Sequence, residues 1–324
     1  MFRTNNDIKN KIITNYRKNT TYIHPIASPE EIAKFIAAYS NSNGGDIILG
    51  IKDDGMTLSI KKFAFKLNIG NILDLLDGAV KIKYNHFTFK GSNLFYISID
   101  KSDELVKVNN IPYKINKDGD LEEMAIKKVF ISYAHKDSDL VNILEEELKK
   151  HKNIKITRDI NVTAYRDSLD EFMKTIKEHD FVISVVSSAY IKSLNCMYEV
   201  MHLMQDKDYL EKLFFIIVNR YDVEYYAEKN RYDGFEAKIY DVIDRLKYIT
   251  HWRDKKVELE QSINEAGLSP ELMVNLAVDM RKLNSVIPSM DDFIKLLSDK
   301  VGRSFKEMYE DEFKEIIDTI NRSH

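Results

Sequence analysis

Residues 127–137 read KKVFISYAHKD, a β-branched and aromatic run that ends in a polar segment. The run predicts a buried strand that delivers a polar loop at its carboxyl end. Helix-like and strand-like segments then alternate: a helix over 139–150, a strand over 154–157, an irregular stretch over 158–167, a helix over 168–178 and a strand over 181–187. This alternation predicts a parallel, doubly wound α/β sheet with helices on both faces.

The carboxyl ends of these strands are where such a sheet binds its ligands. They fall at 132–137, 158–167 and 187–195, and each is rich in side chains able to bond a polar ligand. The phosphate-binding fingerprint G-x-G-x-x-G is absent from the sequence, which argues against cofactor binding of the dehydrogenase type. The sequence indicates neither a bound metal nor a Ser-His-Asp triad.

The N-terminal part has an α+β pattern. Ser28 stands at a helix N-cap with Glu31 three residues later, the spacing of a capping box. The helix runs into Asn43-Gly44-Gly45, and a turn follows at 52–55. Strands are expected over 46–51, 93–100 and 112–115. The periodicity changes near residue 125, where the acidic stretch 117–127 separates two sets of strands and helices, so we place the domain boundary there.

Composition and charge exclude several classes of protein. The chain has 324 residues, 44% of them hydrophobic and 31% charged, which suits folded domains. A net charge of −4 gives no basic field for nucleic acid, and the single cysteine, Cys196, excludes an intramolecular disulfide. The longest apolar runs, 181–186 and 213–218, are far shorter than the roughly 18 residues of a membrane span. We expect a cytoplasmic protein with no membrane partner.

The C-terminal part resembles the bacterial TIR domain over about residues 127–255. The resemblance rests on VFISYAHKD (129–137), the Arg158-Asp159 loop, DFVISVVSSAYIKSLNCMYEV (180–200) and LFFIIV (213–218). It implies a flavodoxin-like, five-stranded parallel sheet, with the fifth strand near Tyr248–Thr250. Residues 256–324 show helix-length patterns and are expected to form a helical extension packed on the TIR domain.

TIR relatives include scaffolds that only assemble and enzymes that cleave NAD at the nicotinamide–ribose bond. Cleavage needs a carboxylate near the ribose, because the transition state resembles an oxocarbenium ion. Glu199 matches the family's catalytic glutamate. The residue alone favours an ordinary solvated helix glutamate, whereas the resemblance favours catalysis. Many enzymatic relatives have Trp before the cysteine of this motif, and Asn195 stands here, which keeps the scaffold alternative open.

The resemblance also implies residues that contact NAD, which is expected as the substrate, with no cofactor. Arg158 and Arg166 bracket the loop after the second strand and suit a pyrophosphate, although nearby aspartates would pair with them equally well. Phe130 has a core role as its alternative, and His135 an exposed loop position. Cys196 is expected to be a buried packing residue. The expected binding residues are Phe130, Ser132, Tyr133, His135, Arg158, Arg166 and Asn195.

The N-terminal part resembles the Schlafen-type AlbA-like domain, over roughly residues 15–118. The matching residues are EEIAKFIAAYSNSNGGDIILGIKDDG (30–55), YISIDKS (96–102) and IPYKI (111–115). Relatives carry Glu-Phe-Lys where this chain reads Thr20–His24. Asp53 and Asp54 remain, and they favour a turn shaped by Asx-type hydrogen bonds over a nuclease metal site. Nucleic-acid binding, ligand sensing or assembly is expected instead.

The sequence therefore predicts an AlbA-like domain over 1–120, a TIR domain over 127–255 and a helical extension over 256–324. The expected function is an NAD hydrolase or a synthase of a cyclic ADP-ribose signal, in prokaryotic antiviral defence. A non-enzymatic TIR scaffold is the alternative. The loop 158–167 has the place of the segment that relatives dock onto a neighbouring subunit, so a homo-oligomer is expected. A nucleic acid or a phage-derived trigger would act through the N-terminal domain.

Overall fold

A computed structural model describes residues 3–61, 67–158, 178–204, 211–266, 273–299 and 303–322. The chain divides into two compact units, Met1–Ala125 and Ile126–His324. Each unit has hydrophobic cores of its own. Within the described ranges, no helix combines the length and the apolar character needed to cross a bilayer.

The first unit is an α+β domain. Its helices are α1 (Asn5–Ile13), α2 (Pro29–Asn41) and α3 (Ile69–Leu73). Its strands are β1 (Thr20–Ile23), β2 (Gly45–Leu49), β3 (Ile51–Asp53), β4 (Leu58–Ile60), β5 (Leu76–Asp77), β6 (Lys81–Phe89), β7 (Ser92–Asp100), β8 (Lys107–Val108), β9 (Ile111–Ile115) and β10 (Leu121–Glu123). One four-stranded sheet has the order β1-β2-β7-β6, and within it only β1 and β2 pair in parallel.

Helix α2 and strand β2 are joined by the predicted Asn-Gly-Gly turn. The Ser28 hydroxyl accepts a hydrogen bond from the Glu31 backbone N–H at 3.1 Å, which confirms the predicted N-cap. Gly44 has φ +73°, a conformation that favours glycine. A Cβ on Gly45 would lie 2.3 Å from the Tyr39 ring. Both glycines are therefore required by close packing of this turn.

The second unit contains the parallel sheet. Its strands are β11 (Lys127–Tyr133), β12 (Ile154–Arg158), β13 (Phe181–Val186) and β14 (Leu213–Ile217). Its helices are α4 (Ser138–Lys149), α5 (Ser188–Ile191), α6 (Leu194–Met204), α7 (Val242–Ala266), α8 (Met273–Asp299), α9 (Phe305–Glu310) and α10 (Lys314–Arg322). The strand order is β12-β11-β13-β14, and every pair is parallel. The predicted flavodoxin-like fold class is confirmed.

The predicted fifth strand is wrong in its position. Tyr248–Thr250 lies inside α7, where Tyr248 and Trp252 are four residues apart and both buried on one helix face. Among the described residues the sheet has four strands, and Ser304 adds a single parallel bridge to Ile217 beyond β14. The short apolar run at 248–250 thus belongs to a helical period rather than to a strand.

The C-terminal helices complete two cores, one on each side of the sheet. One core joins α6 with α7 and α8, and there the Trp252 indole N–H donates to the Ile191 carbonyl at 3.0 Å. The other joins α4 and β11 with α9 and α10, including Phe305 and Ile316. Burial of these side chains makes the helices part of the domain's cores.

Candidate functional site

Glu199 lies on α6 at the carboxyl edge of the sheet, and its side chain is turned inward. It is 3% exposed, so it is not the solvated helix glutamate that the residue alone favoured. Cys196, Met197 and Val200 are buried beside it and fix that face of α6 against the sheet. The Ser132 hydroxyl, next to last in β11, donates a hydrogen bond to Glu199 Oε2 at 3.2 Å. Helix packing therefore brings a carboxylate to the end of a central strand.

A buried hydroxyl network surrounds this carboxylate. The Tyr190 hydroxyl lies 3.2 Å from Ser132 Oγ and 3.3 Å from Ser184 Oγ. Tyr190 is 0% exposed, and burial raises the pKa of its phenol above the ordinary value, so the group stays protonated and able to donate. Ser132 and Glu199 are thus two predicted site residues that the structure brings into direct contact.

The other predicted residues on β11 and its loop have different surroundings. Phe130 is fully buried in the core, edge-on to the His179 ring at 5.5 Å. Tyr133 is 1% exposed and meets the His135 ring edge-on at 6.4 Å. His135 is exposed and begins a single 3₁₀ turn, His135–Asp137. Of these three side chains, only that of His135 is exposed.

Arg158 is bonded to helix α4. Its guanidinium pairs with the Glu145 carboxylate, and it donates to Asn142 Oδ1 at 2.8 Å and to the Val141 carbonyl at 3.1 Å. The side chain is 12% exposed. These contacts engage both terminal guanidinium nitrogens, which were expected to face a pyrophosphate, and leave the buried Nε without a hydrogen-bond partner among the described residues. Arg166 lies outside the described residues.

Asn195 and Glu199 are one helical turn apart but face different neighbours. Asn195 is exposed, and its Oδ1 accepts a hydrogen bond from the Lys282 ammonium of α8 at 2.8 Å. It borders a cleft of about 500 Å³ between α6, α7 and α8, with Lys255 and Asp279 on the other walls. Position 195, which the resemblance associates with Trp, therefore lies on the side of α6 that faces α7 and α8.

Asp137 is a buried carboxylate at the same sheet edge that was not among the predicted site residues. Its side chain is 0% exposed and accepts hydrogen bonds from the hydroxyls of Ser187 at 2.5 Å, Tyr226 at 2.7 Å and Tyr232 at 2.8 Å. Burial raises the pKa of this carboxyl, and the three hydroxyls act in the opposite direction. The sequence does show a polar residue shortly after a buried strand. Its two tyrosine partners, however, lie about 90 residues further along the chain, so local pattern does not reveal the cluster.

Asp53 and Asp54, the candidate metal ligands of the first unit, shape a turn. Arg17 binds the Asp53 carboxylate with two hydrogen bonds, at 2.8 and 3.1 Å, and lowers its pKa. Asp54 accepts from the Met56 and Thr57 backbone N–H groups at 3.0 and 2.6 Å, so the predicted Asx-type bonding is confirmed. In the part of the chain that the structure describes, no three His, Cys, Asp or Glu residues group as metal ligands.

Two family models match the chain. Residues 4–137 match the family described as Schlafen, AlbA_2, and residues 129–262 match the TIR domain. The overlap, 129–137, is β11 with the turn after it, which the structure places in the second unit. The chain thus contains a Schlafen AlbA_2 domain followed by a TIR domain, as the sequence predicted.

Two solved structures each resemble about a third of this chain at low sequence identity. The DIP2311 protein from Corynebacterium diphtheriae is 16% identical, with a TM-score of 0.27 over 33% of this chain and 25% of that one. The N-terminal domain of a putative ATP-dependent DNA helicase RecG-related protein from Nitrosomonas europaea is 11% identical, with a TM-score of 0.25 over 31% of this chain and 74% of that one. No curated protein matches the sequence.

Proposed function

We propose that the TIR domain cleaves NAD at the nicotinamide–ribose bond, releasing nicotinamide and either hydrolysing or cyclising the ADP-ribose part. One observation carries the proposal: in a TIR domain, the Glu199 carboxylate is held at the carboxyl edge of a parallel sheet by Ser132 of the central strand. That edge is where sheets of this topology bind their ligands.

The chemistry needs little beyond a positioned carboxylate. As the glycosidic bond breaks, its electron pair moves to the nicotinamide nitrogen, and positive charge develops at the ribose carbon. A water or an adenine nitrogen then bonds that carbon. Glu199 would stabilise the developing charge, and a buried carboxylate does this more strongly than one in water. Ser132 would keep the carboxylate oriented. NAD is the substrate in this scheme, and neither a metal nor a resident cofactor takes part.

The test is nicotinamide release from NAD by purified wild type, Glu199→Gln and Glu146→Gln. Glu146 is an exposed glutamate on α4 and serves as the matched control. Removing the Glu199 charge should lower the rate by about 10²–10³, while the control should keep the wild-type rate. A folded Glu199→Gln variant with wild-type turnover would exclude Glu199 from catalysis.

A non-enzymatic scaffold is the second candidate function. Two observations favour it. The Glu199 side chain is only 3% exposed, so its carboxylate is covered in this conformation. Asn195 contacts Lys282 of α8 instead of facing Glu199. A scaffold would retain Glu199 as the acceptor for the buried Ser132 hydroxyl. Wild type that releases no nicotinamide at any protein concentration would favour this function.

The cellular role would be prokaryotic antiviral defence, in which NAD loss or a cyclic product is the signal. The Schlafen AlbA_2 domain would receive a nucleic acid or another phage-derived trigger, and the chain would act as a homo-oligomer. The family match of the first domain supports the role as a receiver. Titrating RNA, DNA or phage lysate into an NAD-cleavage assay tests which trigger acts.

A further inference from the structure

The buried Asp137 carboxylate joins three segments at the carboxyl edge of the sheet. Asp137 itself lies in the turn after β11, Ser187 follows β13, and Tyr226 and Tyr232 follow β14. The next acidic residue, Asp139, adds a second tie to the same region, because it accepts from the Ala227 backbone N–H at 2.8 Å. Three strand-end segments are therefore held by one short acidic segment.

Burying a carboxylate is costly unless hydrogen bonds compensate for its lost hydration. Here both oxygens are used: Oδ2 accepts from Ser187, and Oδ1 accepts from Tyr226 and Tyr232. A charged acceptor makes each of these bonds stronger than a neutral pair. These hydrogen bonds hold the four side chains in fixed positions, because a small movement of any one of them would leave a buried polar group unsatisfied.

A continuous set of contacts leads from this point to Glu199. The Ser187 hydroxyl, which donates to Asp137, also accepts from the Tyr190 backbone N–H at 3.0 Å and caps helix α5. The Tyr190 hydroxyl contacts Ser132, and Ser132 bonds the Glu199 carboxylate. Asp137 fixes Ser187, Ser187 fixes the start of α5, and the Tyr190 ring carried by α5 fixes the hydroxyl that holds Glu199.

We propose that Asp137 is a positioning residue for the Glu199 carboxylate, acting through Ser187, Tyr190 and Ser132. The expected effect on rate rests on the proposed function, whereas the effect of Asp137 on the position of the Glu199 carboxylate does not. Positioning matters because a displacement of about 1 Å at a reacting group commonly costs about 10²-fold in rate.

The experiment compares Asp137→Asn with Asp222→Asn in the full-length chain. Asp222 is the matched control: it is also a 0% exposed carboxylate of the second unit, but it accepts from the Asn219 and Lys306 backbone N–H groups and leads toward α9. In ¹³C-glutamate-labelled protein, the Glu199 carboxyl resonance is assigned with Glu199→Gln. Asp137→Asn should shift that resonance, and Asp222→Asn should leave it in place.

Kinetics supply the second readout. Asp137→Asn should lower kcat by about 10- to 100-fold, with KM for NAD changed by less than about threefold, because Asp137 touches no substrate. If Asp137→Asn does not fold, Ser187→Ala breaks the same set of contacts while Asp137 keeps both tyrosine donors. An unmoved Glu199 resonance in Asp137→Asn or Ser187→Ala, or an equal shift in Asp222→Asn, overturns the inference. Wild type without NAD cleavage refutes the proposed function, and the resonance then decides the inference alone.

Discussion

His251 is a histidine whose environment disfavours its charged form. It lies on α7 next to Trp252, and the structure gives its buried Nε2 no hydrogen-bond partner among the described residues. Burial lowers its pKa, and Lys255 and Lys192 lower it further, against a smaller opposite effect of Asp254. Since the unfolded chain binds the proton more tightly, His251 lowers stability as pH falls below about 6.5.

We therefore expect His251→Gln to reduce the acid sensitivity of the second unit. The free energy of unfolding should fall less between about pH 7.5 and pH 5 than it does in wild type. Urea denaturation at the two pH values measures this, with the exposed His135→Gln as the control for loss of one histidine. An unchanged pH dependence in His251→Gln would refute the expectation.

Arg158 is expected to stabilise the folded second unit. Its guanidinium has partners on α4, including the largely covered Glu145, whose side chain is 20% exposed. Arg158→Ala should lower the free energy of unfolding by about 1–3 kcal/mol. A double-mutant cycle with Glu145→Ala isolates the pair, and strict additivity of the two losses would show that the pair contributes nothing.

At the level of single residues, the sequence placed Ser132 near the end of β11 and Glu199 on the helix after β13, but it did not predict their surroundings. Motif position placed the carboxylate on the right helix, because helix α6 follows β13 in both the pattern and the structure. The partner of Arg158 could not be read in advance, since Glu145 is 13 residues earlier on a separate element. The Asp137 cluster depends on contacts over about 90 residues, which local pattern does not reveal.

The elements with strong periodicity were the ones that the sequence predicted well. Strand β11 lies within the apolar start of the predicted stretch 127–137, and α4, β12 and β13 begin and end within one residue of expectation. Helix α1 and strand β6 were not predicted. Helix α1 buries only Ile8 and Ile12, and β6 is exposed along most of its length, so neither carries enough apolar pattern to be recognised.

The junction of α2 and β2 offers a test of packing at the element scale. Gly45→Ala would place a methyl group 2.3 Å from the Tyr39 ring, and we expect a loss of about 1–3 kcal/mol in the free energy of unfolding from overpacking. Gly55→Ala is the control, because no heavy atom lies within 4 Å of a Cβ there, although its φ of +89° adds local strain. A smaller loss for Gly45→Ala than for Gly55→Ala would contradict the packing argument.

For the whole molecule, we expect specific activity on NAD to rise with protein concentration. The loop 158–167 is predicted to dock on a neighbouring subunit, and apart from Arg158 it lies outside the described residues. Ordering such a loop costs conformational entropy, which a second surface would offset. A dilution series of wild type and of Tyr165→Ala with Arg166→Ala measures this. Flat specific activity, or no effect of the double substitution, would reject assembly-dependent activity.

The core shared by β11 with α9 and α10 has a consequence for how the protein is made. Val129 and Ile131, at the start of the second unit, pack in one core with Phe305, Ile316 and Ile320. Contacts over nearly 200 residues form late, because the intervening chain must first be available. During translation the part of this core that α9 and α10 complete, beside α4, stays exposed until those two helices have left the ribosome. Nascent chains stalled before residue 305 should therefore expose apolar surface to chaperones and to aggregation.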